Sequence, residues 1–267
     1  MSWAGGTVTP RARCLLAPNP GPMTLDGTNT WLLAEPGARR AVVVDPGPEH
    51  EGHLRCVLDA ARAEGYRIGL VLLTHGHADH SAGAARLAAL TGAPVRALDP
   101  AHRLGEEGLR DGQVLAVDGL EVRVLATPGH TADSLSFLLP ADAAVLTGDT
   151  VLGRGTTVVA HPDGRLGDYL GSLRRLRDLA EAAAVRTVLP GHGPVLDHAF
   201  AAVEHYLRHR SQRLDQVRAA VASGATTARA VVEIVYADVD PALWPAAELS
   251  VRAALDYLRD DLTGPGG

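Results

Sequence analysis

Thr74-His75-Gly76-His77-Ala78-Asp79-His80 decides the reading of this chain. It follows the apolar run Ile68 to Leu73, a predicted buried strand, and precedes a predicted helix from Ser81 to about Leu90, with Ser81 placed as N-cap and Gly92 just past the end. Four groups able to bind a metal thus sit on one short loop leaving a strand end. Imidazole and carboxylate donors suit zinc, and such a loop can aim two groups of side chains at neighbouring ions.

Outward from the loop, strands are expected at Trp31 to Ala34 and Ala41 to Val44, with a helix at His50 to Ala63, an α/β rhythm. Short β segments follow at Gln113 to Val117, Glu121 to Ala126, Leu135 to Leu138 and Ala143 to Leu146, separated by Asp-Gly, Pro-Gly and Pro-Ala-Asp turn signals. Leu166 to Glu181 reads as an amphipathic helix and Thr187 to Leu189 as a last strand. Three further candidate ligands each stand just after a predicted strand: His130 in Thr127-Pro128-Gly129-His130, Asp149 in Thr147-Gly148-Asp149, and His192 in Pro190-Gly191-His192. Strand ends in an α/β protein meet at one rim.

The chain has 267 residues, 46% hydrophobic and 21% charged, which suits a large domain or a core with a small appendage and excludes a fibrous or disordered class. All the basic side chains other than histidine are arginine. A formal net charge of -6 gives no global attraction for a polyanion. Cys14 and Cys56 have no Cys-x-x-Cys spacing, so two buried thiols in a cytoplasmic protein are expected. No apolar run reaches the roughly 18 residues of a membrane span, and no membrane partner is expected. After about Pro194 the pattern turns helical, at Ala199 to Ala222, Thr227 to Val235 and Pro245 to Arg259, ending in a frayed Thr-Gly-Pro-Gly-Gly tail.

In Asp45, the His75 to His80 loop, His130, Asp149 and His192, taken in order, the chain resembles the metallo-β-lactamase-fold hydrolases over roughly Pro18 to Pro194. The resemblance implies an α/β fold, an αββα sandwich, with two Zn2+ per chain, Mn2+ or Fe being the alternatives. It implies that His75, His77 and His130 hold one ion and Asp79, His80 and His192 the other, with Asp149 bridging and Asp45 supporting from behind. Asp79 and Asp149 are then the catalytic carboxylates of hydrolysis by a metal-bridging hydroxide. No Gly-x-Ser-x-Gly elbow offers a serine nucleophile instead.

The stretch Asn19 to Thr30, the segment Leu152-Gly153-Arg154-Gly155-Thr156-Thr157 and His209-Arg210 narrow the resemblance to the β-lactamase-like-protein-2 group. That group implies a catalytic domain over 1–197 and a small helical, winged-helix-like domain over 198–267, with Asn29, Thr156, Thr157 and Arg210 touching substrate. Its best-known member cleaves single-stranded RNA, while related members act on polyketide thioesters. Single-stranded RNA is therefore the leading expectation, and an acyl thioester or lactone the alternative. An iron oxidoreductase and a non-enzymatic RNA-binding protein stand behind these. Aromatic residues at 4% of the chain weaken the RNA reading, because single-stranded bases stack on aromatic platforms. Arg208, Arg210, Arg213 and Arg218 are placed along one face of the first appended helix, which would wall the cleft or form a homodimer contact.

Overall fold

The computed structural model describes residues 2–263 apart from 106 and 183, with only the backbone for 261–263. The expected tail at 264–267 lies outside the described residues. Two sheets face each other. The first has the order β1 (Gly6–Thr9), β2 (Ala12–Leu16), β3 (Asn29–Leu33), β4 (Arg40–Val44), β5 (Arg67–Leu72), β6 (Val95–Arg96), antiparallel from β1 to β4 and parallel from β4 to β6. The second runs β11 (Thr187–Pro190), β10 (Ala144–Gly148), β9 (Leu135–Leu139), β8 (Leu120–Ala126), β7 (Val114–Val117), with only β10 and β11 parallel.

Period-2 alternation divides each strand between two apolar layers. Trp31, Leu33, Val42, Val44, Leu70 and Leu72 meet Val122, Val124, Leu135, Phe137, Leu146 and Leu189 between the sheets. Their neighbours Leu32, Val43 and Val71 face outward, onto Leu54 and Val57 of α1 (Glu51–Ala63) and Leu87 of α3 (Ala84–Thr91). Leu125, Leu138, Val145 and Val188 face outward from the second sheet, in a cluster with α4 (Leu166–Glu181), α5 (Ala199–Ala222), α6 (Ala228–Val235) and α7 (Trp244–Thr263). The architecture is the expected αββα sandwich, and the helices after 198 share the apolar cluster of its outer layer.

Direction follows from pairing. Because β8 and β10 are both antiparallel to β9, and β11 is parallel to β10, all three end on the same edge of their sheet. Parallel β4 and β5 likewise end together. Three backbone links join the two sheets at this rim: Leu135 N–H to Thr74 O at 2.7 Å, Asn29 N–H to Gly191 O at 2.8 Å, and the Thr28–His192 bridge.

Two local expectations are corrected, and one element is added. Ser81 is not an N-cap: a one-turn helix α2 (Ala78–Ser81) comes first and Ser81 Oγ donates back to Gly76 O, while α3 starts after Gly83. The break has a tertiary cause, since Gly83 N–H bonds Gly47 O and a Cβ there would press on the Gly47 and Pro48 carbonyls at 3.1 Å. Cys56 is exposed, on the side of α1 away from its buried face, and only Cys14 is buried. The N-terminal β1–β2 hairpin was not expected; β1 carries an exposed Gly-Thr start that gives little apolar alternation.

Candidate metal centre

Five strand ends deliver the site: Asp45 follows β4, the His75 loop β5, His130 β8, Asp149 β10 and His192 β11. Asp45 takes a left-handed backbone, φ 51°, which a short polar residue tolerates. That turn aims a buried carboxylate back under the ligand loop. Oδ1 accepts from Thr74 N–H at 2.8 Å and Oδ2 from Thr74 Oγ1 at 2.7 Å and His80 Nδ1 at 2.8 Å. Thr74 Oγ1, having donated to Asp45, accepts from His75 Nδ1 at 3.0 Å.

The remaining nitrogens are set the same way. His130 Nδ1 donates to Val158 O at 2.7 Å and lies 3.1 Å from Thr157 Oγ1, and His192 Nδ1 donates to Gly27 O at 3.2 Å. With Nδ1 protonated on His75, His80, His130 and His192, each Nε2 presents a lone pair. These lone pairs converge. His77 Nδ1 lies 3.0 Å from His75 Nε2 and 3.1 Å from His130 Nε2, and His80 Nε2 lies 3.2 Å from His192 Nε2. Two nitrogens bound to one tetrahedral ion at about 2.0–2.1 Å stand about 3.3 Å apart, so this spacing suits nitrogens sharing a cation.

The carboxylates complete the pattern. Asp79 Oδ2 is 3.1 Å from His192 Nε2 and 3.5 Å from His80 Nε2. Asp149 lies between the two groups, with Oδ1 3.4 Å from His80 Nε2 and Oδ2 3.4 Å from His192 Nε2 and 3.7 Å from His130 Nε2. Asp149 Oδ1 is buried and has no hydrogen-bond partner among the described residues, a costly state for a carboxylate that a bound cation relieves. The groups His75/His77/His130, His75/His80/Asp149 and Asp79/His80/His192 each bring their ligand atoms within 4.8 Å of one another. All seven expected ligand positions therefore converge, and the donor set fits divalent ions.

Electrostatics point the same way. Burial alone would push His80 and His192 down, but Asp149, helped by Asp45 at His80 and by Asp79 at His192, holds His80 well above its ordinary value and His192 at about 9. Burial would push the Asp149 carboxyl up, yet His192 and His80 hold it well below the usual range. Burial would push Asp79 up as well, but His192 and His80 together hold it below its ordinary value. His75 is pushed down by burial and by neighbouring His80. At His80 and His192 the field favours positive charge, and such a field stabilises a cation there.

The expected substrate contacts fare differently. Asn29 is fully buried: its amide donates to Pro190 O and Gly193 O, both at 2.9 Å, and its Oδ1 accepts from Trp3 Nε1 at 2.8 Å. It braces the His192 turn and does not face substrate. Thr157 is buried against His130, and Arg210 is buried with its guanidinium over the Tyr169 ring and donating to Thr157 O. Neither presents a donor to solvent. Thr156 is half-buried on the same segment.

Sequence reasoning assigned no part to Thr74, nor to the buried pair Thr30–His53, in which Thr30 Oγ1 donates to Asp45 O at 2.7 Å and lies 2.8 Å from His53 Nε2. Thr74 adjoins the His motif and offered a local signal; Thr30 and His53 offered none. His102 also packs over Gly76, where a Cβ would displace its ring. Among the described residues no helix is long and apolar enough to cross a membrane.

The chain is similar to known proteins in sequence and in fold. The model of the metallo-beta-lactamase superfamily matches residues 23–192, and that of the beta-lactamase associated winged helix domain matches residues 227–261. An atrochrysone carboxyl ACP thioesterase from Aspergillus fumigatus is 32% identical over 96% of this chain and 81% of its own length. A beta-lactamase-like protein 2 homolog from Caenorhabditis elegans is 34% identical over 92% of this chain and 83% of its own. A metallo-beta-lactamase family protein from Thermus thermophilus shares the fold, with a TM-score of 0.78 and 24% identity over 97% of this chain and 96% of that one. With a family model covering most of its length and a complete set of converging His and Asp side chains, the chain belongs to the metallo-β-lactamase superfamily of metal-dependent hydrolases, with the associated winged helix domain at its C-terminal end.

Proposed function

We propose that this chain is a two-zinc hydrolase whose substrate is an acyl thioester. His75, His77 and His130 would hold one ion and Asp79, His80 and His192 the other, with Asp149 shared between them. When bound, the pair of ions supplies Lewis-acid polarisation of the scissile carbonyl and lowers the pKa of water. The chain's own residues divide the rest. Asp149 and Asp45 fix the buried imidazoles, while Asp79, with its side chain 30% exposed, is the carboxylate open to substrate and would orient the attacking hydroxide, whose proton has passed to solvent water. A C–O bond forms at the acyl carbon, the C–S bond breaks, and the sulfur leaves as thiolate.

The observation that favours a thioester over RNA is the state of the arginines on the appended helices. Arg210, the arginine expected to touch substrate, is buried, Arg213 covers the Tyr236 ring, and the exposed Arg208 and Arg218 are paired with the carboxylates of Glu204 and Asp215. Successive phosphates need accessible donors and bases need open ring faces, yet Trp31, Tyr169 and Tyr206, the rings hydrogen-bonded to the segments that carry His192 and Asp149, are buried. The loop whose Gly27 O accepts from His192 Nδ1 also carries exposed Met23, an apolar group suited to an acyl chain. The thioesterase among the relatives supports the same class. The test is turnover of acyl thioesters, lactones, single-stranded RNA and single-stranded DNA by the purified zinc-loaded protein, with Asp149→Ala as control. Thioester hydrolysis abolished by Asp149→Ala is expected. Cleavage of RNA alone, abolished by the same substitution, would replace the thioester with a phosphodiester substrate.

A further inference from the structure

Asp149 and the groups that hold His130 lie at the two ends of one segment, 149–159. Four side chains from the helices behind it fix that segment. Tyr169 of α4 donates from its hydroxyl to Thr150 O at 2.7 Å. Tyr206 of α5 accepts from Leu152 N–H at 2.8 Å and donates to Leu152 O at 3.2 Å, and Ser250 of α7 accepts from Val159 N–H at 3.2 Å. The fourth is Arg210 of α5. Its guanidinium lies 5.0 Å from the centre of the Tyr169 ring and donates to Thr157 O, while its Nε is buried without a partner among the described residues.

A guanidinium buried against a carbonyl and a ring face costs stability relative to an apolar side chain of similar size. Its position is informative: it joins Tyr169, which fixes Thr150 beside Asp149, to Thr157, whose hydroxyl lies 3.1 Å from His130 Nδ1 and whose neighbour Val158 accepts from the same nitrogen. We infer that Arg210 is a positioning residue for the metal centre, by which the appended helices set the tautomer and aim of His130 through Thr157 and Val158. The inference rests on the reading that His75, His77 and His130 hold one ion. Groups that orient a ligating imidazole in this way are typically worth about 10–100-fold in metal affinity.

The test measures metal binding, not turnover. Metal-free protein is titrated with zinc against a chromophoric chelator, and with cobalt(II) while the visible d–d spectrum is recorded. Wild type is expected to bind two ions, and His130→Ala identifies which of them uses His130. Arg210→Met, which keeps the bulk of the stem, should weaken that ion by about 10–100-fold and alter its cobalt spectrum, leaving the Asp79/His80/His192 ion unchanged. Thr157→Val should weaken the same ion, and Thr157→Ser should restore it. If Arg210→Met fails to fold, the two Thr157 variants decide. Wild-type affinity in Arg210→Met or, where that variant does not fold, in Thr157→Val, or equal weakening of both ions, would overturn the inference while leaving the two-metal reading intact. A wild type that binds fewer than two ions would remove both.

Discussion

At the residue scale the centre depends on side chains buried behind the candidate ligands, and on glycines where a Cβ would press on its neighbours. Gly191 is such a position: a Cβ there would lie 2.6 Å from Asp149 Oδ1 and 2.8 Å from His80 Cε1. Gly191→Ala should fold, because it borders the site and not the apolar core, but should lower zinc affinity at least about tenfold by displacing Asp149. A chelator competition showing wild-type affinity would contradict this. His53 gives a pH prediction. Burial drives its imidazole from 6.5 to about 4, so below pH 6.5 the unfolded chain binds a proton that the folded chain refuses. Stability should therefore be full above about pH 6.5 and decline as pH falls toward about 4. His53→Gln, which keeps a donor for Thr30, should flatten that decline in denaturant titrations across the range. The seven candidate ligand positions were legible because donors follow strand ends in short His- and Asp-bearing motifs. Asn29 and Arg210 were misread as substrate contacts because their burial depends on partners far away in the chain, Pro190 and Gly193 for one, Thr157 and Tyr169 for the other.

At the scale of elements, the segment from Asp149 to Val159 has no regular structure and owes its shape to α4, α5 and α7. Tyr206→Phe removes two hydrogen bonds to Leu152, leaving a buried N–H and C=O unmet, at a cost of about 1–3 kcal/mol. A fall in Tm of roughly 2–4 °C per kcal/mol is expected for a chain of this size, with β10 and β11 retained. An unchanged Tm would show that the loop holds its shape without the tyrosine. The long elements were readable from periodicity, as in α4, whose buried Leu166, Leu170, Leu173 and Leu176 recur at helical spacing. Two-residue β6 and one-turn α2 were not, since neither spans a full period, and the α2–α3 break is set by the Gly47 carbonyl across the fold.

At the scale of the whole molecule, the two sheets bring ligands from either half of the chain to one rim, and the C-terminal helices close the outer layer. We propose that helices α5 to α7 act as a unit that needs the core as much as the core needs it, because Val203, Tyr206, Val217, Val231 and Val251 join the apolar cluster containing Leu166, Leu170 and Val188. A chain ended after Asp197 should expose that surface and aggregate or bind a hydrophobic dye; a soluble monomer with native near-ultraviolet circular dichroism would contradict it. The central claim is that the seven His and Asp side chains hold two metal ions, and anomalous diffraction at the zinc edge from crystals grown with zinc tests it most directly. Two peaks are predicted, one about 2.0–2.2 Å from ligand atoms of His75, His77, His130 and Asp149, the other equally close to Asp79, His80, His192 and Asp149. A single peak, or two peaks away from these side chains, would contradict it.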